Sequence, residues 1–233
     1  MAEISVIIPA LNEEKYIHYP ISGLERQTFK DFDTVVVDGG SQDATVKIAE
    51  KYAKVITYTK QGTASARNRG AKMSKGRILL FLDADTKPSP GLLEAYHKIF
   101  SDKSIVAATG PVNPIEDRKW DVRIGYTIVS VFLVKFSIAI GRPAIVGSNF
   151  AVRADAFRKV RGFNENFITY EDWDLSARLA KQGRTVYSDD AVVYTSARRI
   201  LAWGVFGYFV FYLINIFMYY FLKRSRADYK NIR

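Results

Sequence analysis

Through its first half the chain alternates short apolar runs with longer stretches of helical periodicity, and that alternation restricts the fold more than any single motif. Ile4 to Ile8, Thr34 to Val37, Val55 to Tyr58, Ile78 to Leu82 and Ile105 to Thr109 are short, apolar or β-branched, and bounded by turn formers. Between them, Glu13 to Gln27, Asp43 to Tyr52, Ala64 to Met73 and Gly91 to Phe100 space their apolar residues as amphipathic helices do. Strands apolar on both faces and separated by helices predict an α/β fold, with a mostly parallel sheet flanked by helices. Ligands of such sheets bind outside the carboxyl ends of the strands, so the residues after each run carry the chemistry. Pro20 is expected to kink or divide the first helix.

At 233 residues and 48% hydrophobic content the chain can bury one substantial core, which predicts one domain with additions. A net charge of +10 points to an anionic partner: nucleic acid, lipid head groups or a phosphorylated substrate. With no cysteine, disulfides and thiolate metal sites are excluded. Met1-Ala2-Glu3-Ile4-Ser5 has no basic segment before an apolar stretch, so no signal peptide is expected there.

The strand ends gather unusual residues. The run Leu80-Phe81-Leu82 delivers Asp83 and Asp85, one residue apart, where the chain leaves the core. Two carboxylates so placed repel each other, and Mg²⁺ or Mn²⁺, which takes one or two carboxylates plus substrate phosphate oxygens, would relieve that repulsion; a plain strand-end turn is the alternative. After the first run come Pro9-Ala10-Leu11-Asn12-Glu13-Glu14, and after the second Asp38-Gly39-Gly40-Ser41-Gln42-Asp43. Both put small or acidic residues at a helix entrance, where backbone N–H groups are free for a ligand or for capping by Asn12, Ser41 or Asp43. Asp38, before two glycines, can point into the cleft and accept from base or ribose donors, or serve the turn. Gly62 to Gly70 brings Arg67 and Arg69 to a further helix start, which suits diphosphate contact.

Taken in order, these segments resemble the family 2 glycosyltransferases, which have the Rossmann-like GT-A fold. The resemblance is carried by SVIIPALNEE at 5–14, VVVDGGSQDAT at 35–45, GTASARNRGAK at 62–72, LFLDADT at 80–86, GSNFAVR at 147–153, and Gly162-Phe163 followed by Tyr170-Glu171-Asp172-Trp173-Asp174-Leu175. It covers roughly residues 4–195. It implies that Pro9, Asn12, Glu13 and Asp38 line the base and ribose pocket of a UDP- or GDP-sugar, with Gly39, Ala66 and Arg67 beside the nucleotide. Asp83 would face ribose and metal, Asp85 would be the main ligand of Mn²⁺ or Mg²⁺, and Asp172 would be the catalytic base of an inverting transfer. On the residues alone, Glu171, Asp172 and Asp174 also suit an acidic first helical turn. A glycosyltransferase domain is expected over 1–199, with a nucleotide-sugar half over about 1–110 and an acceptor half over about 111–199. Residues 200–233 would form a membrane-associating helical segment and basic tail.

Two departures from the family pattern stand out. The late histidine that many members use as a metal ligand is absent from Val192 to Arg199, and His18 and His97 lie early, so phosphate and water would complete the metal shell. No Gln-x-x-Arg-Trp sequence is present, which argues against the processive cellulose and hyaluronan synthase branch. Arg198 and Arg199 would bind an anionic donor or acceptor, or form a basic membrane flank.

Ile200 to Leu222 is uncharged over 23 residues, ten of them aromatic, and is followed by Lys223, Arg224, Arg226, Lys230 and Arg233. Its length suffices to cross a bilayer, but the basic flanks and abundant Tyr and Trp predict a membrane-surface or re-entrant segment at the cytoplasmic face; a spanning helix, or a helix pairing in a homodimer, are the alternatives. Ile124 to Ile140, a largely apolar stretch interrupted by Lys135, lies in the interval that shapes the acceptor site in this family. An apolar surface there predicts a lipid-linked acceptor, such as a polyprenyl phosphate or lipid-linked saccharide. A sugar nucleotidyltransferase and a non-catalytic nucleotide- or membrane-binding relative are the rival readings. Nucleic acid is disfavoured because no basic-aromatic recognition motif accompanies the charge. Neither Gly-x-Gly-x-x-Gly nor a P-loop sequence occurs.

Overall fold

The structure, a computed structural model, describes residues 2–59, 62–115 and 120–217. Residues 218–222 of the aromatic segment and the basic tail after them lie outside the described residues. Along the chain the strands are β1 (Ile4–Ala10), β2 (Phe32–Asp38), β3 (Lys54–Thr57), β4 (Ile78–Leu82), β5 (Thr86–Pro88), β6 (Ile105–Thr109), β7 (Val112–Pro114), β8 (Asn149–Arg153), β9 (Arg184–Tyr187) and β10 (Val193–Thr195). The helices are α1 (His18–Glu25), α2 (Thr45–Ala49), α3 (Thr63–Met73), α4 (Leu92–Ile99), α5 (Trp120–Thr127), α6 (Val134–Ala139), α7 (Ala154–Lys159), α8 (Glu171–Leu179) and α9 (Arg198–Phe217), with a π-helical stretch, Ile128–Leu133, joining α5 to α6.

Seven strands make the main sheet in the order β3-β2-β1-β4-β8-β6-β9, and a small sheet has the order β5-β10-β7. The first four strands of the main sheet pair in parallel, as apolar runs separated by helices require, and β8 enters antiparallel between β4 and β6. Residues of β4 alternate between two cores. Ile78, Leu80 and Leu82 pack with Leu92 and Tyr96 on one side, while Leu79 and Phe81 pack with Phe150, Phe163 and Leu175 on the other. Each fully buried side chain of this size contributes about 1.5–3 kcal/mol.

β4 and β6 have the expected bounds, while α1 is shorter than the expected Glu13 to Gln27. Pro20 accounts for the difference. It sits in the first turn of α1, where a backbone N–H has no partner within the helix, so the ring neither kinks nor divides it, and the chain before it forms turns closed by Glu13 O.

Trp120, Ile124, Ile128, Phe132, Phe136 and Ile140 are all exposed and recur every fourth residue along α5, the π-helical stretch and α6. A step of four residues slightly overshoots one α-helical turn and slightly undershoots one π-helical turn, so joining the two types keeps the row on one side. Among the described residues, Trp120–Ala139 is the one helical stretch long and apolar enough to cross a membrane by length and composition. It packs beside α9 through Val122, Ala197 and Ile200. Gly204, at φ 72°, breaks α9 into two helical pieces.

Candidate active site

The carboxyl ends of β1, β2 and β4 open on the same edge of the sheet, because β1 runs in register with β2 from Ile4↔Phe32 to Ala10↔Asp38 and with β4 from Ile4↔Ile78. β8 begins at that edge too, since Leu82 pairs with Asn149. The loops after these strands and the turn before β8 therefore converge.

After β4, the Thr86 N–H donates to Asp83 O at 3.1 Å, closing a tight turn that carries both carboxylates. Each takes its own arginine. Arg67 Nη2 lies 2.8 Å from Asp83 Oδ1, and Arg198 Nη2 lies 3.1 Å from Asp85 Oδ2. Burial, reinforced by Asp83, pushes Asp85 up to about 6 against the pull of Arg198.

Arg67, brought by α3, is buried, with its guanidinium turned to carboxylates and a backbone carbonyl. Besides Asp83 it donates to Glu171 Oε1 at 2.9 Å and to Gly147 O at 3.1 Å, and it lies 5.4 Å from the Phe163 ring centroid. Arg69 lies over Tyr58 at 5.6 Å. Burial, reinforced by Asp172, pushes Glu171 up to about 7 against the pull of Arg67.

Asp172 is fixed by two N–H donors, Gly147 to Oδ2 at 2.8 Å and Trp173 to Oδ1 at 2.9 Å. Burial raises its pKa, while Arg67 and these N–H groups hold it back. Gly147 is needed at its position. A Cβ there would stand 2.8 Å from both terminal Arg67 nitrogens and 3.1 Å from Asp172 Oδ2. Tyr170, which precedes α8, has φ 66°, a conformation rare for a large side chain and found where the surroundings over-determine it.

The first two loops clasp each other. Asn12 N donates to Ser41 Oγ at 2.8 Å, Gln42 N donates to Asn12 Oδ1 at 2.8 Å, and Glu13 N donates to Thr45 Oγ1 at 2.7 Å. Asp38 is buried and accepts from Gly40 N at 2.9 Å and from the Ser41 N–H and hydroxyl. Its carboxylate thus braces the turn at the end of β2. Of the two glycines behind it, Gly40 has the positive φ, 96°, and Gly39 instead lies against Leu11. Pro9 is the partly buried penultimate residue of β1, and Ala66 is buried in α3 beside Arg67.

Sequence reasoning missed the cluster of Glu13, Asp85 and Arg198. Arg198 Nη1 and Nη2 each donate to a Glu13 carboxylate oxygen at 2.8 Å, and its guanidinium lies 4.4 Å from the Tyr16 ring centroid. The small sheet delivers it: Thr195 pairs with Thr86 and Ser196 N donates to Asp85 O at 3.1 Å, so the chain enters α9 beside Asp85. The reading of Arg198 as a basic membrane flank is corrected by these contacts.

The donor set suits Mg²⁺ or Mn²⁺. Asp83 and Asp85 are hard oxygen ligands, the Asp83 side chain is 38% exposed, and a buried Asp85 raised toward neutrality gains from a cation. Among the described residues no group of three His, Cys, Asp or Glu side chains forms a complete cage, so the remaining ligands of such an ion would come from phosphate and water.

The family model for Glycosyl transferase family 2 matches residues 5–161, and one described as the N-terminal domain of galactosyltransferase matches residues 127–197. Glycosyltransferase AglE of Haloferax volcanii is 29% identical over 205 residues, 84% of this chain and 67% of that protein. A PGL/p-HBAD biosynthesis glycosyltransferase of Mycobacterium tuberculosis is 42% identical over 88 residues, 35% of this chain and 34% of that protein. Among solved structures, S. aureus TarS 1-349 in complex with UDP-GlcNAc has a TM-score of 0.70 at 23% identity, covering 85% of this chain and 59% of that one. Mannosyltransferase PcManGT from Pyrobaculum calidifontis, in complex with GDP-Man and Mn²⁺, has a TM-score of 0.67 at 22% identity, covering 86% and 59%. The two structural likenesses show the GT-A type of fold, and the aligned stretches span less than two thirds of those structures and about a third of the mycobacterial protein. With a family model matched over most of its length, the chain belongs to Glycosyl transferase family 2.

Proposed function

We propose that the protein is an inverting glycosyltransferase that moves a sugar from a UDP- or GDP-sugar to an acceptor hydroxyl or phosphate on a lipid-linked molecule at the cytoplasmic face of a membrane. The observation that carries this reading is the convergence at one edge of the sheet of Asp83, Glu171 and Asp172 around Arg67, with Asp85 beside them on Arg198. Family membership and the UDP-GlcNAc and GDP-Man bound by the two structural relatives support the donor class. The nucleotide half would be residues 1–110 and the acceptor half 111–199.

With a hydroxyl acceptor, its oxygen attacks the anomeric carbon as the bond from that carbon to the diphosphate oxygen breaks. The nucleoside diphosphate leaves with the electron pair, and Asp172 takes the hydroxyl proton. The N–H groups of Gly147 and Trp173 aim that carboxylate, and burial makes it a stronger base than a solvated aspartate. Asp83 and Asp85 would hold Mn²⁺ or Mg²⁺, which when bound supplies Lewis-acid stabilisation of charge on the leaving diphosphate. The apolar row from Trp120 to Ile140, together with α9, supports seating at a lipid surface, and the net charge of +10 suits anionic lipid.

A thermal-shift panel of UDP-, GDP-, CMP- and dTDP-sugars with and without Mn²⁺ tests the donor site. Metal-dependent stabilisation by one nucleotide class, lost in Asp85→Ala, is expected. A folded protein stabilised by none of them would overturn the reading.

A further inference from the structure

The metal-holding side of the site already contains a cation of its own. Arg198 is fixed by four contacts: both Glu13 carboxylate oxygens at 2.8 Å, Asp85 Oδ2 at 3.1 Å, and the Tyr16 ring at 4.4 Å. Its side chain is 15% exposed, and those of Glu13 and Asp85 are 11% and 14%. The small sheet allows it little freedom, because Thr195 Oγ1 donates to Asp85 Oδ1 at 3.3 Å and accepts from Thr86 Oγ1 at 2.9 Å just before the chain turns into α9. A divalent ion approaching Asp85 in the absence of donor therefore meets a largely buried, anchored guanidinium that holds one of the carboxylate oxygens. Like charges in a poorly solvated site repel strongly. A nucleoside diphosphate changes the balance, because its phosphate oxygens can take the guanidinium and complete the ion's ligand shell together.

Building on the donor reading above, we propose that Arg198 is a positioning residue that bars the divalent ion from Asp85 until the nucleoside diphosphate arrives, so that metal and donor enter together. The fork on Glu13 keeps the guanidinium anchored throughout, and the contact to Asp85 is the one exchanged. Arg198 thereby occupies Asp85 in place of the ion while the site waits, and faces the diphosphate once it fills.

The test is Mn²⁺ binding followed by electron paramagnetic resonance, with and without UDP or GDP, on the whole chain and on Arg198→Gln and Arg198→Lys, with thermal melting to check folding. Wild type is expected to bind Mn²⁺ weakly alone and at least about tenfold more tightly with the nucleotide. Arg198→Gln is expected to bind Mn²⁺ alone about tenfold more tightly than wild type, because the bare carboxylate is released. Arg198→Lys, whose ammonium lacks the planar fork needed to hold Glu13 and Asp85 at once, is expected to shift the same way by less, and it decides the matter if the glutamine variant does not fold. Donor-free Mn²⁺ affinity unchanged in the folded variants would overturn the proposal while leaving the donor site standing. Failure of wild type to bind either nucleotide, with or without Mn²⁺, would overturn both.

Discussion

Arg67 and Glu171, 104 positions apart in the chain, meet at 2.9 Å in the interior of the site. The same guanidinium reaches Asp83 from α3 and stands close enough to Asp172 to oppose the rise that burial imposes on its pKa. One buried cation thus ties the β4 turn to the start of α8. Replacing Arg67 with Met should cost about 3–5 kcal/mol, since it strands buried carboxylates without a counter-charge. Urea denaturation of the purified variant measures this directly.

Stability should depend on pH in a specific direction. Glu171 rises from 4.5 to about 7 and Asp85 from 3.8 to about 6, both above their unfolded values. The folded state therefore holds more protons than the unfolded state between those limits, so the donor-free protein loses stability as pH rises from about 4 to 7. Melting temperatures across that range should fall, and Glu171→Gln should fall less steeply. Equal slopes would contradict the assignment.

Gly147→Ala probes close packing at the site. The added methyl would meet Arg67 and Asp172 well inside normal contact distance. A loss of roughly 1–3 kcal/mol is expected, as for other overpacked interiors. Donor hydrolysis should drop as well, because the Gly147 N–H that aims Asp172 must shift.

Asp172→Asn distinguishes acceptor types. Transfer to a hydroxyl should fall by about 10²–10⁴-fold, the usual contribution of a general base. An acceptor phosphate is already ionised and should lose much less. Near wild-type turnover with a hydroxyl acceptor would sink the base assignment.

The paired change Phe132→Glu and Phe136→Glu places charge on two of the most exposed apolar positions of the α5–α6 row. Sedimentation with anionic vesicles should be lost, while nucleotide binding by the free protein is retained. Retained sedimentation would locate the lipid contact elsewhere.

The sheet was legible in the sequence because its strands are apolar on both faces, and β4 and β6 match residue for residue. The antiparallel insertion of β8 was not, since strand order depends on long-range pairing that no local pattern encodes. Within the site, Asp83, Asp85 and Asp172 were legible as motif residues. Their partners were less so: no local pattern shows that Arg67 gathers Asp83 and Glu171, and Arg198 stands 185 positions from Glu13 beside an apolar helix that draws attention to membranes. The Gly-Ser-Asn-Phe segment signalled Gly147, but only a built Cβ shows what the glycine avoids.

The pairing of Leu82 with Asn149 has a mechanical consequence. The chain leaves the carboxylate turn and, after a long excursion through β6, β7 and the α5–α6 arm, is returned by sheet register to within two residues of the glycine that holds Asp172. The spacing of the reacting groups is therefore set by hydrogen-bonded strands, while the arm between rests on that frame by its inner side, through Ser130 on Val112 and Lys135 on Asp189, and leaves its outer row free. That outer row can be remodelled like a tool head on a fixed shaft, changing what is grasped without moving the cutting edge.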